Sequence, residues 1–211
     1  MANTYLEKAK TGTDGDRQIW TISVWVKRAK LGFQQKIINF GENVSSEGNM
    51  YFDASDFLVF QNDGHNGSSN ETDMVFRDTN AWYHLVWACD STQADNANRW
   101  KVYVNGSQVT LTGSPAITQD GNGVINAFDA HDCWIGRTAR VQQSGSIADD
   151  YFDGQMAHFH FIDGTQYAAT DFGQTDSTTG QWVPKTAPSV TYGTNGFFLK
   201  FENSGSMGTD S

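Results

Sequence analysis

The chain has 211 residues, enough for one ordinary domain or one large β-sandwich. It carries 14 Lys and Arg against 24 Asp and Glu, a formal net charge of −10. That dispersed negative charge argues against nucleic acid as the main partner, because phosphate binding needs clustered cations.

No apolar run approaches about 18 residues, so no membrane insertion is expected. The start, Met1-Ala2-Asn3-Thr4-Tyr5, lacks the basic and apolar stretches of a signal peptide. Hydrophobic residues make up 38%, with 7 Trp, 7 Tyr and 14 Phe, which supplies an aromatic-rich core and excludes disorder for most of the chain. The 21 glycines disfavour long helices. Cys89 and Cys133 are too few for a cysteine-stapled scaffold or a four-cysteine zinc site. Both sit in apolar, strand-like runs and are expected as two reduced thiols.

The hydrophobic period is two nearly everywhere, which predicts strands. Ile19 to Lys27 places Trp20, Ile22, Val24 and Val26 on a core face and Thr21, Ser23 and Trp25 on the other. A short strand at 36–40 ends at Gly41, and 49–53 with 57–61 form a hairpin. The polar stretch 62–73 reads as a rim loop. Strands follow at 82–90 and 100–104, then the type I′ turn signal Asn105-Gly106 and a return strand at 108–111. Beyond a long loop, strands are predicted at 132–136, 154–162 and 197–201, with one helical turn at Thr170-Asp171-Phe172 and an irregular stretch up to Asn195. The pattern gives an all-β, antiparallel two-sheet jelly-roll sandwich over 1–203, with a flexible C-terminal tail at 204–211.

Five runs, Trp20–Arg28, Ala81–Trp87, Lys101–Gly106, Trp134–Arg137 and Tyr151–Gly164, resemble the laminin-G-like, concanavalin A-like jelly roll. The runs Asp171–Lys185 and Tyr192–Phe201 resemble the version found in virion structural proteins of tailed, especially marine, phages. The resemblance covers the chain from about Tyr5 to Ser211. It implies a non-enzymatic virion protein assembled in the host cytoplasm: a surface-exposed tail-fibre or appendage module with host-glycan binding, or a capsid decoration (cement) protein without a ligand. It also implies other virion proteins as partners and a homo-oligomer, such as a trimer. Two departures stand out. The chain begins almost directly at the second expected strand, and it stops at Gly208-Thr209-Asp210-Ser211, where relatives continue.

The glucanase branch of this fold alternates carboxylates along one strand to set an acid and a nucleophile on one face. Glu7, Glu42, Glu47, Glu71 and Glu202 lack that setting, which leaves glycan hydrolysis a distant alternative. Relatives hold calcium at a rim through Asp and Asn; the candidates here are Asp149, Asp150 and Asp153, or the 62–73 loop, against the alternative that these are solvated turn residues. His158 and His160, flanking Phe159, could bind zinc or copper, but His131 with Asp132 is the only third ligand in view. Sugar stacking needs exposed aromatics. Trp25, Trp87 and Trp182 are the candidates, against burial of the first two and an anchoring role for Trp182.

Overall fold

The computed structural model describes residues 4–43, 46–65, 69–113, 115–138 and 150–211. Its strands are β1 (Leu6–Lys8), β2 (Ile19–Arg28), β3 (Gln35–Asn43), β4 (Ser46–Phe52), β5 (Phe57–Asn62), β6 (Asn70–Val75), β7 (Tyr83–Asp90), β8 (Trp100–Val104), β9 (Ser107–Val109), β10 (Cys133–Ile135) and β11 (Gly154–Asp163). A single helical turn, α1 (Ala169–Phe172), precedes β12 (Gly173–Thr175), β13 (Trp182–Pro184) and β14 (Phe197–Leu199).

Two six-stranded antiparallel sheets form the sandwich expected from the alternation. One runs β1-β10-β3-β4-β5-β6, the other β14-β11-β2-β7-β8-β9. Trp20, Ile22, Val24 and Val26 point from β2 into the shared core, each with no exposure. Leu85, Trp87 and Cys89 do the same from β7, by the same period of two. Trp20 and Trp87 meet edge to face, ring centroids 4.7 Å apart, the geometry aromatic quadrupoles favour. Asn105 and Gly106 both have positive φ, +47° and +84°, so the type I′ turn forms as the dipeptide predicts.

β11 carries a bulge. Ala157 pairs with Trp25 and His160 with Ser23, so two residues, His158 and Phe159, oppose Val24 alone. His158 takes the extra place at φ +47°. Without it, Phe159 would switch to the outer face; with it, Phe159 and Phe161 both reach the core.

The structure corrects the sequence reading at three places. The first strand is not missing: β1 pairs with β10 through Leu6↔Ile135, Glu7↔Trp134 and Lys8↔Cys133. The polar stretch 62–73 is not all loop, because β6 starts inside it and closes the sheet edge against β5. The stretch after α1 is not irregular throughout, since β12 and β13 form a hairpin. After β14 the chain runs back along the sandwich edge, where the Phe198 N–H donates to Asp210 Oδ1 at 2.8 Å and Asp210 bridges Leu199.

The chain crosses between sheets at both ends of the sandwich, and the two ends differ. One end holds the crossings 9–18 and 110–132 and is stitched by side chains to backbone. Asn62 Oδ1 accepts the N–H groups of Val124 and Ile125 at 2.7 and 3.1 Å. Asp163 accepts from Asp16 N, Asn126 Nδ2 and Asn195 N at 2.7, 2.7 and 3.0 Å. The other end holds the β2–β3 and β6–β7 crossings and the entry to β11. All six exposed large hydrophobics among the described residues (Tyr5, Phe33, Met74, Val75, Trp82 and Met207) lie there.

Candidate functional site

That apolar end contains an open groove of about 520 Å³. Its walls come from the start of β1 (Tyr5, Leu6), the end of β10 (Ile135), the entry to β11 (Phe152 to Met156), Trp82 before β7, and Phe201 and Met207 after β14. The floor is pinned to both sheets. Lys36 N donates to Asp150 O at 2.9 Å, Phe152 N to Gly136 O at 2.9 Å, and Ala29 N to Asp153 O at 2.8 Å. Gly154 makes this approach feasible, because a Cβ there would stand 2.2 Å from Lys27 O and 2.7 Å from the Phe152 ring.

Neighbouring loops are held by a buried cation. Arg28 donates to Phe76 O at 2.7 Å, pairs with Asp56 at 3.0 Å and lies over the Phe52 ring at 4.3 Å. Tyr83 OH donates to Asp78 O and accepts from Asp78 N, which closes the loop that presents Trp82. Trp82 is 38% exposed and Tyr5 39%. Tyr5 is backed by the Arg137 guanidinium, 4.2 Å from its ring centroid. Two partly exposed aromatics, Tyr5 and Trp82, and two polar residues, Asp153 and Gln155, share the lining of one groove, and these are the residue types that hold a sugar by ring stacking and hydrogen bonds.

The tryptophans singled out from the sequence lie elsewhere. Trp87 is fully buried between the sheets, packed on Trp20, Phe60 and Trp100, so it has no face to offer a ligand. Trp25 is 8% exposed on the outer face of its sheet, stacked on His84 at 4.9 Å. Trp182 is half-buried and donates its indole N–H to His84 Nδ1 at 2.9 Å, holding the β12–β13 hairpin on that outer face. Gly106 and Gly173 admit its ring, for a Cβ on either would fall 2.8 or 2.5 Å from ring carbons. Trp82 is absent from the sequence candidates; its signal is the polar run Asp78-Thr79-Asn80 before it, which places it ahead of the buried alternation.

Of the proposed calcium ligands, Asp149 lies outside the described residues. Asp150 Oδ2 accepts from Gln34 Nε2 at 2.9 Å, whereas Asp153 lines the groove. Among the described residues no group of three or more His, Cys, Asp or Glu could hold a metal ion. His158 and His160 have ring centroids 6.4 Å apart, with the bulge between their backbones. His160 Nδ1 is bonded to Tyr192 OH at 2.8 Å, and His131 precedes β10 in the opposite sheet.

Two contacts have the composition of catalytic pairs and neither has the chemistry. Ser23 Oγ and His84 Nε2 are 2.9 Å apart. An indole N–H only donates, so His84 Nδ1 is an acceptor, the ring proton sits on Nε2, and Nε2–H donates to Ser23. A base already protonated toward the hydroxyl cannot take its proton. Burial, reinforced by His158, pushes His84 down to about 3. Cys89 Sγ lies 3.6 Å from His65 Nδ1, but burial raises its thiol far above the thiolate range. Cys89 and Cys133 are both buried free thiols.

No helix among the described residues is long and apolar enough to cross a membrane. Comparison with curated proteins finds no match. Among solved structures, a putative carbohydrate binding protein from Bacteroides ovatus superposes with a TM-score of 0.53 at 14% identity, covering 89% of this chain and 59% of its own. The CBM40 of the Ruminococcus gnavus IT-sialidase gives 0.51 at 13%, covering 80% and 96%. The leech intramolecular trans-sialidase gives 0.51 at 14%, covering 79% of this chain and only 26% of that enzyme. At such identities these likenesses speak for the fold. The family description that matches residues 2–170, most of the sequence, is the laminin G type of the concanavalin A-like lectin/glucanase superfamily, and the chain belongs to that family.

Proposed function

We propose that the chain is a non-catalytic glycan-binding domain whose ligand lies in the end groove, stacked on Trp82 and Tyr5 and hydrogen-bonded by Asp153 and Gln155. The observation that carries this reading is that Trp82 is the one exposed tryptophan of the seven and lines the open end groove. The fold is shared with a putative carbohydrate binding protein and a sialidase's carbohydrate-binding module, which supports binding rather than turnover. The buried Ser23–His84 and His65–Cys89 contacts, which lack the chemistry of a nucleophile and its base, support it too. A glycan array with wild type and Trp82→Ala, each with and without EDTA, tests the reading. Binding that the substitution abolishes supports it; binding to no glycan at millimolar ligand removes it.

We propose further that the domain works in a virion, as a homo-oligomeric, surface-exposed module of a phage tail fibre or appendage. The support is the resemblance of Asp171–Lys185 and Tyr192–Phe201 to phage structural proteins. The first run includes the β12–β13 hairpin over the outer face of that sheet, the second includes its edge strand β14, and both lie beyond the family match. Localisation in a particle map tests this: density on a fibre supports it, whereas density between capsid subunits with the groove occluded would favour a decoration protein.

A further inference from the structure

Among the described residues that line the groove, Asp153 alone carries a formal charge. Its backbone is fixed by Ala29 N at 2.8 Å, and a Cβ on the following Gly154 would collide with Lys27 O, so Asp153 sits on a closely packed segment. Met156, Met207 and Phe152 line the same groove and give it apolar wall. Two cations among the described residues neighbour the groove without lining it. Arg137 is stacked on Tyr5 and donates through Nε to Thr138 O at 3.0 Å; Lys27 is the cross-strand partner of Gln155.

Building on the glycan-binding reading above, we propose that the groove selects uncharged sugars and that Asp153 sets this selection. Its carboxylate accepts hydrogen bonds from sugar hydroxyls and repels carboxylate-bearing residues such as sialic and uronic acids. The apolar wall completes the fit to the C–H faces of a neutral ring.

The test is an array of matched pairs, each neutral glycan beside its sialylated or uronic counterpart, probed with wild type and Asp153→Asn in EDTA and again in calcium. The expected result is binding to neutral members, at least tenfold weaker binding to their acidic partners, and a gap that narrows in Asp153→Asn while the melting temperature holds. Equal or tighter binding of acidic members, in EDTA or in calcium, would overturn the selection while leaving the glycan reading intact. So would a gap unchanged by Asp153→Asn. Binding to no glycan would remove the glycan reading itself, and the selection with it.

Discussion

Trp182 and His84 stand 98 positions apart in the chain, and the indole N–H of the first donates to Nδ1 of the second at 2.9 Å. The same relationship recurs inside the sandwich, where Trp100 Nε1 donates to His65 Nδ1 at 3.2 Å and His65 Nε2 donates to Gly121 O at 2.7 Å. In both cases a donor-only partner holds the imidazole in its neutral, Nε2-protonated form. One bond fastens the β12–β13 hairpin to the sheet; the other fastens β8 to the stitched end.

Trp182→Phe keeps the ring that fills the space beside Gly106 and Gly173 and deletes the donor. His84 Nδ1 is then a buried acceptor with no partner, which costs about 1–3 kcal/mol. Chemical denaturation should show that loss, while glycan affinity in the groove stays unchanged.

Acid should destabilise the protein well before its carboxylates titrate. Burial pushes His65 down to about 4 and His84 and His160 to about 3, from an ordinary value of 6.5; neighbouring histidines add to the shift at His84 and His160. These groups stay neutral when folded and gain protons when unfolded. Their contribution is therefore complete above pH 6.5 and is lost progressively as pH falls toward 3. Each adds up to about 1.4 kcal/mol per pH unit to the decline. Melting temperatures recorded from pH 7.5 to 4.5 should be flat at first and then fall steeply below 6.5.

Gly173→Ala places a methyl 2.5 Å from the Trp182 ring at a position whose backbone, φ −130°, would otherwise accept alanine. The damage should therefore be steric and local. Trp182 fluorescence should shift as the hairpin lifts, with a stability loss of about 1–3 kcal/mol.

Trp82→Ala and Trp87→Ala should separate function from folding. The first removes an exposed ring and should weaken glycan binding at least tenfold, with stability changed by no more than about 0.5 kcal/mol. The second empties a place between the sheets and should cost about 3–5 kcal/mol. Denaturation midpoints measured alongside binding isotherms check both.

The sandwich was legible because burial on one face of a strand forces alternation, and Ile19 to Lys27 displays it without interruption. Trp87 shows how far that logic reaches: its parity with Leu85 and Cys89 already assigns it to the interior, so its place among sugar-stacking candidates was correctable from the sequence. β1 and the β12–β13 hairpin are three-residue strands, too short for a period to register. The groove was not legible at all. Tyr5, Trp82, Phe152, Phe201 and Met207 are brought together by the segment before β1, two separate crossings and the returning C-terminus, and no local pattern encodes that meeting.

The unequal ends of the sandwich decouple recognition from folding. Asn62 and Asp163 anchor the crossings far from Trp82, so the exposed residues of the turn before β7, unlike the buried Phe76 at its start, can be exchanged while those anchors keep the scaffold assembled. A lineage under pressure to change its target can rewrite that rim by single substitutions, each paid in affinity rather than in the integrity of the fold.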